Sequence, residues 1–254
     1  MRLEGIHHIT AITGDAPRNV DFYVGLLGLR MVKKTVNFDA PEVYHLYYAD
    51  ERGSPGSVLT FFEFPGAVPG RAGDGMVHRI GWRVGREEAL DFWTGRLDGV
   101  RAYARDPSAS ARLLEELALA PEGEGRWQAQ GAQRHALYGH DPSPPERSVQ
   151  GAGSVHHVAF ASRDEDHADW RLAATRGGAR PTPIIDRQYF RSIYFREPSG
   201  VLFEIATLSP GFDVDEPLES LGEALTLPPQ HEHLRAQLER TLTPLPAPRT
   251  GCTR

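Results

Sequence analysis

Residues 154–160, Ser154-Val155-His156-His157-Val158-Ala159-Phe160, set two adjacent histidines in the middle of a short apolar run. Gly153 precedes the run, charged residues follow it from Arg163, and its β-branched and aromatic members mark it as a buried strand. The pattern also opens the chain as Gly5-Ile6-His7-His8-Ile9-Thr10, and a weaker copy stands between them as Met76-Val77-His78-Arg79-Ile80-Gly81. Neighbours on a regular strand face opposite sides, so a cavity receives one histidine of each pair. The second of each, His8 and His157, is read as facing inward, and His7 and His156 as packing or support. One such run alone is a core strand with a satisfied histidine; two nearly a chain length apart suggest a shared site.

Each His-His run heads a repeat. In the first, strand Ile6–Thr13 is followed by a helix capped by Asp15, with Pro17 in its first turn and Val20, Phe22, Tyr23, Leu26 and Leu27 as its apolar face up to Gly28. Strands Arg30–Phe38, Tyr44–Tyr48 and, after the Gly53-Ser54-Pro55-Gly56 turn, Val58–Phe64 complete a β-α-β-β-β unit. The last unit repeats that order: Val155–Ala161, a helix over Glu165–Arg176, strands Pro183–Ile185 and Ser192–Arg196, and closing strand Val201–Thr207. The middle is irregular. Strand Val77–Val84 and helix Glu87–Leu97 are followed by strand Val100–Ala104, helix Pro107–Leu119 and short strands Arg126–Gln130 and His135–Tyr138, which reads as one unit lacking its last strands joined to one with a poor first strand. Helices are expected near Leu218–Ala224 and His231–Thr241, and disorder over Pro244–Arg254. The expected division is 1–66 (first unit), 67–150 (truncated middle), 151–212 (last unit) and 213–254 (helical extension and tail).

Composition narrows the partners. With 28 basic against 34 acidic residues the net charge is −6, and no basic stripe is interleaved with aromatics, which argues against nucleic acid. No apolar run approaches the roughly 20 residues of a membrane-spanning helix, and the first residues lack the apolar stretch of a secretory signal. The one cysteine, Cys252, permits no disulfide within the chain, which fits a reducing cytoplasm.

The closing strand Val201-Leu202-Phe203-Glu204-Ile205-Ala206 carries a carboxylate in an apolar context, a costly arrangement unless the group is paired or metal-bound. If the first and last units pack together, His8, His157 and Glu204 converge. Two histidines and one carboxylate on one side of a metal leave other positions open, as in non-haem Fe(II) oxygenases. In the middle copy Arg79 stands at the ligand position, so that unit contributes none.

The sequence resembles the vicinal-oxygen-chelate superfamily, and within it the dioxygenases that open hydroquinones and related dihydroxylated rings. The segments that carry the likeness are Gly5–Asp15, Val32–Phe38, Tyr44–Phe62, Val155–Phe160 and Asp186–Gly211. The resemblance implies an α+β fold of repeated β-α-β-β-β units forming open barrel-like sheets, here with a shortened middle pair. It implies Fe(II), with Mn(II) as the alternative metal, held by His8, His157 and Glu204. Around the oxygens of a small aromatic substrate and O2 it implies His7, Thr10, Arg187 and Tyr194.

Two other functions compete. A glyoxalase-type isomerase or lyase would take a fourth ligand from the first unit's closing strand. Laying Gly56-Ser57-Val58-Leu59 on Gly200-Val201-Leu202 brings the two closing strands roughly into register, and the position matched to Glu204 is read as Phe61, which binds no metal, with Glu63 sharing its facing. A ligand-sequestering protein of this fold should have degraded ligands, whereas all three are intact. The shortened middle is expected either to pack flat or, preferentially, to be completed by a second subunit across edge strands such as Val100–Ala104 and Arg126–Gln130.

Overall fold

The computed structural model describes residues 1–83 and 96–246. The first unit runs β1 (Ile6–Thr13), α1 (Ala16–Val20), β2 (Arg30–Asn37), β3 (Ala40–Ala49) and β4 (Val58–Glu63). The middle contributes β5 (Val77–Arg83), β6 (Arg96–Ala104), α2 (Ala111–Glu116), β7 (Leu119–Pro121), β8 (Arg126–Gln130) and β9 (His135–Pro142). The last unit is β10 (Val155–Ser162), α3 (His167–Arg176), β11 (Ile185–Asp186), β12 (Phe190–Arg196) and β13 (Leu202–Pro210), followed by α4 (Arg235–Thr241).

First- and last-unit strands join in one curled eight-stranded sheet of order β11-β12-β13-β10-β1-β4-β3-β2. At its centre β1 and β10, the two His-His strands, pair antiparallel, and each has its own unit's closing strand parallel at its other side. Such parallel neighbours require a crossover, which the helices and hairpins of each unit supply. The sheet buries both faces, which is why its strands alternate poorly in sequence. Ile9, Leu46, Tyr48, Leu59, Phe61, Val158, Phe160, Ile193, Phe203 and Ile205 form the apolar core on one face. On the other, small and aromatic residues such as Val58, Ala159, Ala206, Tyr47, Phe190 and Phe212 surround polar side chains that are themselves buried.

The second sheet, β5-β6-β9-β8-β7, repeats the unit pattern once: β6 and β9 are parallel neighbours with β8 and β7 antiparallel outside them, and β5 is added antiparallel to β6. The strands expected as edges, Val100–Ala104 and Arg126–Gln130, are therefore interior. Among the described residues the edges are β5 and β7.

Several local expectations need correction. Asp15 does cap α1, its Oδ1 accepting from the Arg18 N–H at 3.0 Å, but the helix then winds as a π turn over Asp21–Leu26, with the Leu27 N–H donating to the Phe22 carbonyl at 3.0 Å. The wider turn rotates Phe22 and Leu26 out to solvent, while Val20, Tyr23 and Leu27 keep the core contact. Helix Glu87–Leu97 falls outside the described residues except at Arg96 and Leu97, which begin β6. The Leu218–Ala224 helix is only a 3-10 turn at Leu218–Ser220, and the next is 3-10 at Pro229–Leu234 before α4. Most of the tail expected to be disordered also lies outside the described residues. Among the described residues no helix is long and apolar enough to cross a membrane.

Candidate metal centre

The two His-His runs do not behave as regular strand. Across β1 and β10, Ile6 stands opposite Phe160 and His8 opposite Ala159, so His7 is an extra residue. Thr10 stands opposite His157 and Ala11 opposite Val155, so His156 is extra too. Each first histidine is thus a β-bulge, and a bulge re-aims its side chain. Instead of turning away, His7 places its Nδ1 2.9 Å from His8 Nδ1, and His156 places its Nδ1 2.8 Å from His157 Nδ1.

Those contacts fix tautomers. Two facing ring nitrogens share one hydrogen, and His7 also bonds the Thr207 backbone, which uses its other nitrogen as a donor. His7 Nδ1 therefore accepts from His8 Nδ1–H, and the His8 Nε2 lone pair is directed into the cavity. Burial, reinforced by His8, holds His7 well below the usual histidine range, and burial with the neighbouring His157 lowers His156 to about 4. Burial also lowers His157 against the opposing pull of Glu204.

Three donor atoms meet there. His8 Nε2 lies 3.2 Å from His157 Nε2, and Glu204 Oε2 lies 3.2 Å from the first and 2.9 Å from the second. Glu204 is fully buried on β13. Its Oε1 accepts from Ser192 Oγ and, at 3.0 Å, from the Tyr194 hydroxyl, while Oε2 is left without a well-directed hydrogen bond. Burial alone would raise this carboxyl, but the His8 and His157 rings against it outweigh burial and hold it well below the ordinary carboxylate range. The donor set fits a divalent cation. Three ligands at right angles and ~2.1 Å from an ion are about 3.0 Å apart, close to the observed triangle, and the orphaned oxygen is the atom such an ion would satisfy.

Arg187 and Tyr194 stand beside the carboxylate. Arg187 Nε donates to the Tyr194 hydroxyl at 3.2 Å, its guanidinium lies over the Tyr194 ring, and Asp39 on the β2–β3 turn grips it at 3.0 and 3.2 Å. Burial opposes the Arg187 charge, but Tyr194 and Asp39 outweigh it, and burial beside Glu204 pushes the Tyr194 phenol far up. Thr10 is turned to the other wall, 2.8 Å from Thr60 Oγ1.

The fourth-ligand position is not Phe61. Thr10 pairs with Thr60 as Ala159 pairs with Glu204, so the residue equivalent to Glu204 is Thr60, one place from the expected Phe61. Phe61 is in the core, and Glu63 is on that face too, accepting from the Ala16 N–H at 3.0 Å. The sequence also gave no sign of His45 and Tyr47, hidden in the aromatic strand Tyr44–Tyr48. The register that finds Thr60 finds them as well, since Tyr47 pairs with Thr60 as Tyr194 pairs with Glu204.

Residues 5–99 and 85–205 match the model of the Glyoxalase/Bleomycin resistance protein/Dioxygenase superfamily. A Bacillus subtilis (strain 168) protein named "Putative ring-cleaving dioxygenase MhqA" is 37% identical over 315 aligned positions, which cover 96% of this chain and 100% of the relative. The "Chlorohydroquinone/hydroquinone 1,2-dioxygenase" of Sphingobium indicum is 31% identical, over 95% of this chain and 96% of its own. A crystal structure of a Bacillus subtilis relative superposes with a TM-score of 0.87 at 35% identity, covering 96% of this chain and 98% of that one. The 315 aligned positions exceed the 254 residues here, so that relative carries sequence which this chain lacks. By family match, sequence identity and fold, the chain belongs to the glyoxalase/bleomycin resistance protein/dioxygenase superfamily.

Proposed function

We propose that the protein is an oxidoreductase, a ferrous ring-cleaving dioxygenase that opens hydroquinone- or catechol-type rings with O2. The observation that carries this reading is the buried triangle of His8 Nε2, His157 Nε2 and Glu204 Oε2, two neutral ligands and one anion meeting at a single point. The names of the relatives support the same reaction class. A bound ferrous ion would supply the centre at which ring and dioxygen meet and exchange electron density.

The chain's own residues do the rest. Ser192 and Tyr194 hold Glu204 by Oε1 so that Oε2 points at the histidines. His7 and His156 act through His8 and His157, fixing ring orientation and tautomer. Arg187, held charged by Asp39 and Tyr194, is placed to stabilise negative charge on a substrate oxygen. Tyr194, kept protonated, can hold or return a proton at its hydroxyl oxygen. Phe190 packs against the His7 and His8 rings and helps keep water from the site.

The isomerase reading loses its fourth ligand at Thr60. Anaerobic purification with metal analysis, then oxygen uptake on a panel of hydroquinones and catechols, tests the proposal. Stoichiometric iron with uptake on one of these classes is expected; a metal-loaded protein inert to both overturns it.

A further inference from the structure

The wall opposite Glu204 carries a second polar array. Tyr47 on β3 places its hydroxyl 2.8 Å from His45 Nδ1, His45 Nε2 lies 2.8 Å from Thr60 Oγ1, and Thr60 Oγ1 lies 2.8 Å from Thr10 Oγ1. All four side chains are buried, Thr10 and Thr60 completely. The array occupies, on the first unit, the places that Tyr194, Ser192 and Glu204 hold on the last: Tyr47 pairs with Thr60 and His45 with Phe62, as Tyr194 pairs with Glu204 and Ser192 with Ala206. It ends at Thr10, two residues beyond His8 on the same face of β1 and opposite His157 on β10. Thr35, opposite His45 across β2 and β3, adds a fully buried hydroxyl with no partner. Stability alone does not call for so much buried polarity on one wall.

Counting hydrogens gives the array a direction. Burial pushes the Tyr47 phenol well above its ordinary value, so it keeps its proton, and a phenol donates more readily than it accepts. With Tyr47 donating to Nδ1, His45 carries its hydrogen on Nε2 and donates to Thr60. Thr60 then donates to Thr10, and the Thr10 hydroxyl hydrogen is left to point at a ligand. Each donor in such a chain polarises the next, so the last is a stronger donor than an isolated threonine.

We propose that His45 is a positioning residue which, through Thr60 and Thr10, presents a polarised hydroxyl donor to the ring oxygen of the substrate and so favours its binding as the phenolate. This rests on the dioxygenase reading, and it deepens it by giving the metal-poor half of the site a task. On one side the anion meets Arg187, and on the other it meets the Thr10 hydroxyl. His45 itself faces Tyr47, Thr60 and Phe62 directly, and His8, His157, Glu204 and Arg187 electrostatically.

The test uses a coloured probe whose ionisation is visible without turnover. Nitrohydroquinone is bound under argon to the Fe(II)-loaded full chain, and the phenolate absorbance is followed against pH. In the wild type the bound probe should ionise at lower pH than the free one. His45→Phe keeps the ring packing but breaks the chain, and Tyr47→Phe removes one oxygen. Each should keep its iron and raise the midpoint by about one pH unit, the scale of losing a directed hydrogen bond to the charged form. His45→Gln, whose amide can accept from Tyr47 and donate to Thr60, should restore most of the shift. Wild-type midpoints in iron-loaded His45→Phe and Tyr47→Phe overturn the inference, as does a His45→Gln variant as impaired as His45→Phe. If His45→Phe does not fold, Tyr47→Phe decides alone. An iron-loaded wild type that binds no probe overturns the dioxygenase reading itself, a result distinct from all of these.

Discussion

Thr60 on β4 and Glu204 on β13 are register equivalents across the centre of the sheet, the first paired with Thr10 of β1 and the second with Ala159 of β10. One half of the site thus carries a carboxylate and the other a hydroxyl. A fourth charged ligand would fill a coordination position and lower the net charge at the centre, and both changes work against simultaneous binding of a phenolate and dioxygen. On the dioxygenase reading, this asymmetry between the two units keeps a coordination position open where an isomerase-type site would close it.

Thr60→Glu should therefore hold metal more tightly while losing oxygen uptake. Without metal it should be destabilised, because a second carboxylate buried beside Glu204 has no counter-charge, on the order of 3 kcal/mol. Differential scanning calorimetry with and without added Fe(II) or Mn(II) measures both effects, expecting a larger metal-induced rise in Tm than the wild type shows. An equal rise, or retained oxygen uptake, would contradict the assignment of Thr60 to that position.

His7 and His8 should separate cleanly on mutation. His8→Ala removes a donor atom and should abolish metal binding. His7→Ala removes the acceptor that fixes the His8 tautomer at 2.9 Å, so metal should persist with affinity reduced roughly 10–100-fold. Metal titration of the two variants checks this, and equal losses would reverse the roles within the pair.

What a sequence encodes locally decides how much of this site is legible in it. The repeat, the pairing of two strand histidines and the one carboxylate on an apolar strand could be read because each is a local anomaly in an otherwise apolar context. The bulges could not, since the extra residue shows only in how β1 meets β10, and the rule that strand neighbours face apart gave way at His7 and His156. The fourth-ligand position went astray by one because the two turns match only loosely. Gly56 set on Gly200 leads to Thr60 and Ser57 set on Gly200 leads to Phe61, the ladder with β1 selects the first, and a slip of one moves every side chain to the other face. His45 and Tyr47 are hidden because a buried hydrogen-bonded residue and a core aromatic look alike in an aromatic strand.

Acid stability should depend on His167, the first residue of α3. Its ring is buried, Nδ1 lies 3.0 Å from Ser162 Oγ, and Nε2 has no partner. Burial, helped by Arg191, lowers it to about 4, and the positive end of α3 works in the same sense. The unfolded chain, titrating near 6.5, takes up this proton first. Its contribution is thus fully present above about pH 6.5 and is lost as pH falls from there towards 4. In chelator-treated protein, Tm should be flat above pH 7 and fall below pH 6.5, and His167→Gln should flatten part of that fall. His156, lowered to about the same value, should account for a further part. A wild-type Tm independent of pH between 7 and 4.5 would contradict this.

Lys33 ties the segment after β13 to the site. It is completely buried on β2, with its ammonium 2.6 Å from Asp215 Oδ1, 2.5 Å from Glu216 Oε2 and 4.8 Å over the Tyr189 ring. Tyr189 in turn donates to Asp215 at 3.1 Å, and the adjacent Phe190 packs on the His7 and His8 rings. Lys33→Met preserves much of the volume but leaves the buried Glu216 without its counter-charge, which should destabilise the fold by about 3–5 kcal/mol in urea unfolding. Pairing it with Glu216→Gln removes that orphaned charge and should recover a substantial part, since contacting residues couple rather than add. Because Asp215 also loses its hold on Tyr189, the single variant should bind metal more weakly than wild type even where it is folded, and metal titration below the unfolding transition reads this separately from stability. A Lys33→Met protein within about 0.5 kcal/mol of wild type would mean that the pair contributes no more than an exposed one, as surface ion pairs generally do.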